Sequence, residues 1–373
     1  MQNKIYDAAV VPCADYAEEN IRKAIEEATS AIGGLDFIKP GDKVVIKSNI
    51  LGAKAPETAA TTHPMMLYTL SKMLIERGAS VVIGDSPGGV FTSAYLSGIY
   101  RGAKLLDVEK SGAKLNYNTE VKEAQINGKS AKEISYTAYL DDADYIINFA
   151  KLKTHGMLLY TGATKNMFGI IPGLTKPDYH YRFPKAEDFA NMLVDLNEFK
   201  KPTISFIDAV MGMEGNGPNN GDPRHIGALI ASKSPYHADL IATALIGIDP
   251  QRVIYLKAAA ERGLAKKDVS EIEVYGDIRA LAVPDFKKMP GETDTHFKSK
   301  FRERVFSRRP VLIPSLCREC GRCAEFCPQD AIKLNPKPKI DRKNCIRCFC
   351  CQEFCPFNAL VAKQPWLAKL VSR

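Results

Sequence analysis

The chain contains two cysteine runs of one spacing, Cys317-Arg-Glu-Cys320-Gly-Arg-Cys323-Ala-Glu-Phe-Cys327-Pro328 and Cys345-Ile-Arg-Cys348-Phe-Cys-Cys351-Gln-Glu-Phe-Cys355-Pro356. Both read Cys-x2-Cys-x2-Cys-x3-Cys-Pro, and the offset between them is constant, so that Cys317 corresponds to Cys345 and Cys327 to Cys355. Nine of the ten cysteines of this 373-residue chain lie in this stretch. Two half-units of equal spacing indicate an internal duplication, which predicts a module folded about a pseudo-twofold axis.

This spacing is typical of iron–sulfur ligands. Three thiolates on one tight loop reach three irons of one cluster, whereas the fourth, just before a proline, points to the other cluster. We therefore predict two [4Fe–4S] clusters with crossed ligation. Cluster I takes Cys317, Cys320, Cys323 and Cys355, and cluster II takes Cys327, Cys345, Cys348 and Cys351. The rival is a pair of zinc sites, which also use Cys-x2-Cys. Zinc gives no reason for the third cysteine or for the Cys-Pro ending.

Residues 312–364 resemble a two-cluster bacterial ferredoxin, and all eight ligand positions match. The resemblance implies that this part of the chain carries single electrons. Gly321 is expected to let the backbone approach a cluster sulfide closely. Cys350 is additional to the pattern, and we interpret it as a small buried apolar side chain.

Composition places few limits on the rest. An apolar content of 45% and a charged content of 25% are ordinary for a soluble globular protein. No uninterrupted apolar run is long enough to cross a bilayer, so no membrane span is expected. The first residues lack the apolar core of a signal peptide. Clustered cysteines indicate metal ligation in a reducing compartment, which predicts a cytoplasmic protein.

The net charge of +8 lies entirely near the cysteine runs. Residues 307–373 carry 13 Lys and Arg against 5 Asp and Glu, and residues 1–306 carry 38 of each class. Cluster thiolates are negative, so much of this basic charge offsets them. No aromatic-interleaved basic stripe is present, and nucleic-acid binding is not predicted. An acidic redox partner protein remains a candidate for this face.

Short apolar strands, among them 145–149 and 203–208, are separated by helical segments such as one at 98–111. This pattern predicts an α/β fold, a layered and mostly parallel sheet. We divide the chain into an α/β domain at 1–283, a linker at 284–311 and a small α+β cluster domain at 312–373. The linker is rich in proline and includes a predicted basic helix near 295–307. The apolar tail at 365–371 is expected to pack on its own chain or on a partner.

Polar or glycine-rich segments follow four predicted strands. Ligands of parallel α/β sheets lie beyond the carboxyl ends of the strands, so these segments predict one polar cleft. The candidate ligand-binding residues are Lys47, Asn49, Asp85, Ser86, Gly88, Asn166, Gly215 and Gly217. The candidate catalytic residues are Lys151, Lys153, His155, Lys165, Asp208 and Glu214. Lysines, a histidine and glycine turns suit an anionic small molecule. The alternative is that these are ordinary solvated loops. No phosphate-binding or dinucleotide fingerprint is present.

The same segments carry a second resemblance, to the domain of unknown function 362. The matching motifs are Lys47-x-Asn49, Gly84-Asp-Ser-Pro-Gly88, Lys151-Leu-Lys-Thr-His155, Thr164-Lys-Asn166-x-Phe-Gly169 and Met213-Glu-Gly-Asn-Gly-Pro218. The resemblance spans most of residues 8–280. It implies an iron–sulfur protein with anaerobic redox roles, and it transfers no reaction and no catalytic residue.

Three functional hypotheses follow. The first is an electron-transfer protein whose α/β cleft reduces an anionic small molecule, which leaves open whether the chain is an enzyme. The second is a non-catalytic ferredoxin-like subunit that docks on a partner oxidoreductase, and an exposed apolar patch at the cleft rim would favour it. The third is a redox or iron sensor, although no DNA-reading helix is evident. Spacing does not reveal the substrate, the potential, the electron donor or the oligomeric state.

Overall fold

The structure is a computed structural model that describes residues 4–289 and 308–365. Its first part is an α/β domain. The strands are β1 (Ala8–Pro12), β2 (Lys43–Ser48), β3 (Ser80–Gly84), β4 (Lys114–Leu115), β5 (Val121–Gln125), β6 (Glu133–Thr137), β7 (Tyr145–His155), β8 (Leu159–Thr161), β9 (Ile204–Glu214), β10 (Asp222–Ser232) and β11 (Val274–Tyr275). The helices are α1 (Glu18–Ala31), α2 (Pro64–Glu76), α3 (Ser93–Gly102), α4 (Ala163–Asn166), α5 (Lys176–Arg182), α6 (Ala186–Phe199), α7 (Pro235–Leu245), α8 (Ile254–Glu261) and α9 (Ile278–Leu281).

The main sheet has the strand order β11-β1-β10-β9-β7-β2-β3-β4, and β8 adds to β7. Five neighbouring pairs are parallel, namely β1 with β11, β2 with β3, β2 with β7, β3 with β4 and β7 with β9. The pairs that involve β10 or β8 are antiparallel. The predicted α/β class with a mostly parallel sheet is therefore confirmed.

Alternation along each strand builds two cores, one on each face of the sheet. In β2, Val44 and Ile46 enter one core, whereas Val45 enters the other. Helices α1 to α3 cover the first core and α6 to α8 cover the second. Because successive side chains of a strand point to opposite faces, a sheet covered on both sides needs apolar residues at most positions.

Three predicted elements differ from the structure. Strand β7 does not end at Phe149 but continues to His155, because its second half pairs with β9 and β8. Strand β9 likewise continues to Glu214 along β10. The helix predicted at 98–111 is split into α3 and a 3-10 turn, since Lys104 has a φ of 56°. A left-handed residue cannot continue a right-handed helix.

The cluster module repeats itself in structure. It consists of β12 (Arg309–Leu312), α10 (Arg322–Glu325), β13 (Ile332–Asn335), β14 (Lys337–Ile340), α11 (Cys350–Glu353) and β15 (Leu360–Lys363). Strands β12 and β13 and helix α10 recur as β14, β15 and α11, at the same offset as the two cysteine runs. β12 pairs with β15 and β13 with β14, both antiparallel. Left-handed backbone also recurs at this offset, at Gly321 and Phe349. The predicted internal duplication therefore appears as two matching half-modules.

The predicted basic helix near 295–307 and the tail from Trp366 onward lie outside the described residues. The described part of the predicted linker packs on both domains. The Lys287 carbonyl accepts the Gly215 N–H at 2.6 Å, and Met289 is buried against Phe349 and Ala362. In the described parts of the chain, no helix is both long enough and apolar enough to cross a bilayer.

Candidate functional site

Two small cavities lie inside the cluster module. One is lined by Cys317, Cys320, Cys323 and Cys355, and the other by Cys327, Cys345, Cys348 and Cys351. Within residues 4–289 and 308–365, no three His, Cys, Asp or Glu side chains converge as a single-ion site. Four thiols around an open space fit a four-iron cube, whose ligands stand farther apart than those of one ion with bonds of about 2.3 Å.

Backbone amides donate to a cysteine sulfur in each of these two cavities. The Ala331 N–H donates to Cys327 Sγ at 3.3 Å, and the Ala359 N–H donates to Cys355 Sγ at the same distance. The two contacts occupy equivalent positions of the two half-modules, as expected from the internal duplication. Hydrogen bonds to ligand sulfur raise the potential of an iron–sulfur centre.

A larger cavity of about 370 Å³ lies between the α/β domain and the cluster module. Of the fourteen residues predicted for the cleft, these eight line it: Asn49, Asp85, Ser86, Gly88, Lys153, His155, Lys165 and Asn166. The remaining six, which do not, are Lys47, Lys151, Asp208, Glu214, Gly215 and Gly217. The cluster module contributes Cys350, Glu353, Phe354 and Cys355 to its wall. Cys355 therefore borders both this cavity and the cluster I cavity.

Strand β7 positions two of the side chains that line the cavity, Lys153 and His155. Alternation along β7 directs Lys151, Lys153 and His155 away from the face of Leu152, which is in the core. Lys153 Nζ donates to Asn49 Oδ1 and to the Ala60 carbonyl, both at 2.7 Å. Burial, and to a smaller extent the charge of Lys165, lowers the pKa of Lys153 to about 7.

Helix α4 positions Lys165. Asp239 on α7 accepts the N–H groups of Ala163 and Thr164 at 2.7 and 2.9 Å, which anchors the start of this short helix. Burial lowers the pKa of Lys165. Its Nζ lies 4.5 Å from the centre of the Phe168 ring. No hydrogen bond or ion pair holds Lys165 Nζ among the described residues.

Helix α5 adds Lys176 and His180, which are four residues apart and so share a helix face. Lys176 Nζ donates to the carbonyls of Ser86 at 2.6 Å and Ile171 at 2.5 Å. Burial, together with the charges of Lys47 and Lys165, lowers the pKa of Lys176 to about 7 although Asp85 opposes this shift. Burial also brings the pKa of His180 to about 3, so this ring is neutral.

Two of the predicted residues form a buried ion pair outside the cavity. Lys151 Nζ lies 2.8 Å from Asp208 Oδ2, and both side chains are fully enclosed. The Asp208 carboxylate also accepts the Tyr16 hydroxyl and the His63 N–H. Lys47 is likewise paired with Asp85, at 2.8 Å. These two lysines are thus neutralised by their own carboxylates.

A histidine and a glutamate meet across the two domains. His155 Nε2 lies 3.2 Å from Glu353 Oε1, although the groups are poorly aligned for a hydrogen bond. His155 Nδ1 accepts the N–H groups of Met157 and Leu158, which places the ring proton on Nε2. Burial opposes ionisation of Glu353, but His155 and Lys165 bring its pKa to about 2.

The glycine-rich loop after β9 holds the cluster module in place. Gln352 donates to the Asn216 carbonyl and side chain, and Asn219 and Asn220 donate to carbonyls of the cluster module. The loop after β3 also contacts the module: a Cβ atom at Gly88 would lie 2.7 Å from the Phe354 ring, so glycine permits this close approach. Glu214 accepts the Lys287 N–H at 2.9 Å. The loop after β9 therefore docks a domain and does not line the cavity with its glycines.

Among the cavity-lining residues that sequence reasoning missed are Lys176, His180 and Glu353. The first two lie in Lys176-Pro-Asp-Tyr-His180, where two cationic residue types share one helical face, and that spacing was a usable signal. Glu353 has a counterpart in Glu325, which is exposed. Only the docking of the module distinguishes these two glutamates. Cys350 was interpreted as a buried small residue, and it is buried, but in the cavity wall.

Two known protein families match separate parts of the chain. The family described as "Domain of unknown function (DUF362)" matches residues 44–244, and the family described as "4Fe-4S dicluster domain" matches residues 316–359. The dicluster match shows an iron–sulfur module with two [4Fe–4S] clusters that serves electron transfer. The thylakoid-associated protein sll1697 of Synechocystis sp. is 32% identical over 256 residues, which cover 67% of this chain and 77% of that protein.

Solved structures show more distant likenesses. The lactate racemase apoprotein from Thermoanaerobacterium thermosaccharolyticum is 13% identical with a TM-score of 0.39, over 64% of this chain and 57% of that one. A protein from Thermotoga maritima is 13% identical with a TM-score of 0.33, over 54% of this chain and 52% of that one. The chain thus spans somewhat more than half the length of both, and likenesses this weak support no inference about activity.

The family match covers more than half of the chain, and it includes the strands and loops that line the large cavity. The chain therefore belongs to the DUF362 family, and it carries a dicluster [4Fe–4S] ferredoxin module after the DUF362 domain.

Proposed function

We propose that the protein passes single electrons through its two [4Fe–4S] clusters to an anionic small molecule held in the 370 Å³ cavity. One observation carries the proposal: Cys355 borders both the cluster I cavity and the large cavity. In this proposal, cluster I takes Cys317, Cys320, Cys323 and Cys355, and cluster II takes Cys327, Cys345, Cys348 and Cys351. When bound, the clusters supply one-electron transfer at potentials that their surroundings tune.

The residues of the chain have separable roles in this proposal. Lys153, Lys165 and Lys176 attract the anion and neutralise charge that builds up on reduction. Phe354 and Asn219 form part of the cavity wall. His155 presents the N–H of its neutral ring at Nε2 to the cavity, where it can donate a hydrogen bond that orients the anion. Covalent fusion keeps the electron source beside the α/β domain.

Buried polar atoms without partners support a ligand in this cavity. Five of its lining residues have a buried side-chain atom that makes no hydrogen bond: Ser86, His155, His180, Asn219 and Glu353. Leaving one such group unsatisfied costs about 1–3 kcal/mol. A polar ligand that forms hydrogen bonds with several of these atoms at once removes that cost. A cavity lined only by apolar atoms carries no such cost and needs no ligand.

The exposed side of cluster I is the proposed entry for electrons. Cys320 is exposed, and three apolar side chains near it, Leu316, Leu334 and Phe357, are 42–45% exposed. The exposed Arg318 and Arg322 line the same cluster cavity, which fits an acidic redox partner protein. Because such a cluster is open to oxygen, we propose that the protein works in a reducing, anaerobic cytoplasm.

The test is reoxidation of the reduced full-length protein by candidate anions. The clusters are reduced anaerobically, carboxylates and phosphates are mixed in singly, and the visible absorption of the oxidised clusters is followed. We expect at least one anion to reoxidise the clusters, and we expect Lys165→Gln to slow this roughly tenfold or more. Lys104→Gln, which breaks an exposed pair with Glu57, serves as the control.

Reoxidation that Lys165→Gln leaves unchanged would contradict a role for the cavity. If no anion reoxidises clusters that are fully loaded and reducible, the non-catalytic subunit that docks on a partner oxidoreductase becomes the better hypothesis. A partner enzyme that accepts the electrons directly would then distinguish that hypothesis from failure of the clusters themselves.

Anion affinity is expected to fall as pH rises through about 7. Lys153 and Lys176 both have a pKa of about 7, so they are charged at pH 6 and largely neutral at pH 8. Oxalate, which stays fully ionised over this range, is expected to bind roughly tenfold or more tightly at pH 6. Calorimetry in two buffers of different ionisation enthalpy measures the accompanying proton uptake. Affinity that is equal at both pH values, with no proton uptake, would contradict this prediction.

A further inference from the structure

The lysines around the large cavity fall into two classes. Lys47 and Lys151 each lie 2.8 Å from a carboxylate oxygen of their own. Lys153 and Lys176 contact only neutral oxygens, and Lys165 contacts the face of an aromatic ring. Lys54 also lines the cavity and donates to the neutral Asn358 Oδ1 at 3.4 Å, so among the described residues all four lysines in the lining lack a carboxylate partner.

The carboxylates that line the cavity do not balance these lysines. Among the described lining residues the acids are Asp85 and Glu353. Asp85 is engaged with Lys47 and accepts the N–H groups of Ser86 and Ile50 at 2.8 and 2.6 Å. Glu353 is the one lining carboxylate left to face the ammonium groups. With Lys153, Lys165 and Lys176 protonated, these three and Glu353 alone give a surplus of about two positive charges, to which Lys54 and the exposed Arg322 add. Such a surplus is costly in an enclosed space.

Three of these ammonium groups, those of Lys153, Lys165 and Lys176, converge. Lys165 Nζ and Lys176 Nζ lie 4.5 and 5.8 Å from the centre of one ring, that of Phe168. Lys165 also acts electrostatically on both other lysines, since its charge lowers the pKa of Lys153 and of Lys176. Repulsion of this kind disappears when an anion lies among the three groups.

We propose that the molecule in this cavity is an organic anion with at least two ionised acidic groups, a polycarboxylate or a phosphate ester. This inference rests on the proposed function only in treating the cavity as a ligand site. The volume of about 370 Å³ far exceeds that of a small inorganic ion. Aromatic residues in the wall, Tyr95, Phe168 and Phe354, provide contact for a carbon skeleton. The unpartnered Nδ1 of buried His180 adds a polar contact to the body of the ligand.

The experiment measures binding and not electron transfer. Acetate, oxalate, citrate, phosphate and pyrophosphate are titrated into the full-length, cluster-loaded protein at constant ionic strength and pH 6.5, by calorimetry and thermal shift. We expect affinity to rise roughly tenfold with each added negative charge. Lys165→Gln is expected to weaken oxalate and citrate roughly tenfold or more and acetate much less, whereas Lys165→Arg keeps the order of affinities.

Controls separate the outcomes. Lys104→Gln is expected to change no affinity, and iron content with circular dichroism confirms that each variant folds. Equal affinity for acetate and the multivalent anions, or binding of none of them, would overturn the inference. Charge-dependent binding without reoxidation of the clusters would support the inference while the proposed function fails. Reoxidation of the clusters by a molecule whose affinity does not depend on charge would overturn this inference and leave the proposed function standing.

Discussion

Replacing Cys355 with alanine is expected to remove one cluster and leave about four irons in place of about eight. Cys355 belongs to the second cysteine run, yet it lies with Cys317, Cys320 and Cys323 of the first run around one cavity. A cube without its fourth thiolate loses the ligand that links the two half-modules. Iron and acid-labile sulfide are measured after anaerobic reconstitution, and low-temperature electron paramagnetic resonance of the reduced protein identifies the remaining cluster.

Cys350→Ala is the matched control for this prediction. Cys350 lies in the same run and is also buried, but it lines the large cavity and neither cluster cavity. The variant is expected to keep about eight irons. The double variant Cys323→Ala with Cys355→Ala tests the crossed ligation directly. It keeps about four irons if both residues serve one cluster and almost none if each run holds its own cluster.

Asp208→Ala is expected to lower the free energy of unfolding by about 3–5 kcal/mol. In the structure the Lys151 ammonium lies 2.8 Å from the Asp208 carboxylate, and the substitution leaves this ammonium buried without a carboxylate. It also removes the acceptor of the Tyr16 hydroxyl and of the His63 N–H. Denaturant unfolding of the loaded protein, followed anaerobically by circular dichroism, measures the loss.

Asp285→Ala provides the comparison, because it also breaks a carboxylate–cation pair. Asp285 accepts two hydrogen bonds from Arg224 at 2.6 and 2.7 Å, but its side chain is 68% exposed. An exposed pair contributes about 0–1 kcal/mol. The double variant Asp208→Leu with Lys151→Met is expected to recover much of the loss, since it leaves no buried charge. If Asp208→Ala is as mild as Asp285→Ala, the pair does not stabilise the fold as described.

Sequence reasoning placed eight of the fourteen cleft residues in one cavity because strand ends of a parallel sheet share an edge. It failed where pairing across strands decided the outcome. Lys151 and Lys153 are two residues apart and equally polar in sequence, yet β9 presents Asp208 to the first and nothing acidic to the second. It also failed for Glu214, Gly215 and Gly217, since a glycine-rich loop that docks a domain has the same composition as one that binds a phosphate.

Two properties of this protein follow from sequence alone. The cysteine spacing determined the cluster type and the duplication, because ligands held on one tight loop have a reach that local chain length sets. The spacing of apolar residues along the chain determined the α/β class. The cavity itself depended on tertiary structure, because its wall combines residues from opposite ends of the chain, such as Asn49 and Glu353. Packing inside the α/β domain decides which lysines remain without a carboxylate. The docking of the two domains places Cys355 at both a cluster cavity and the large cavity.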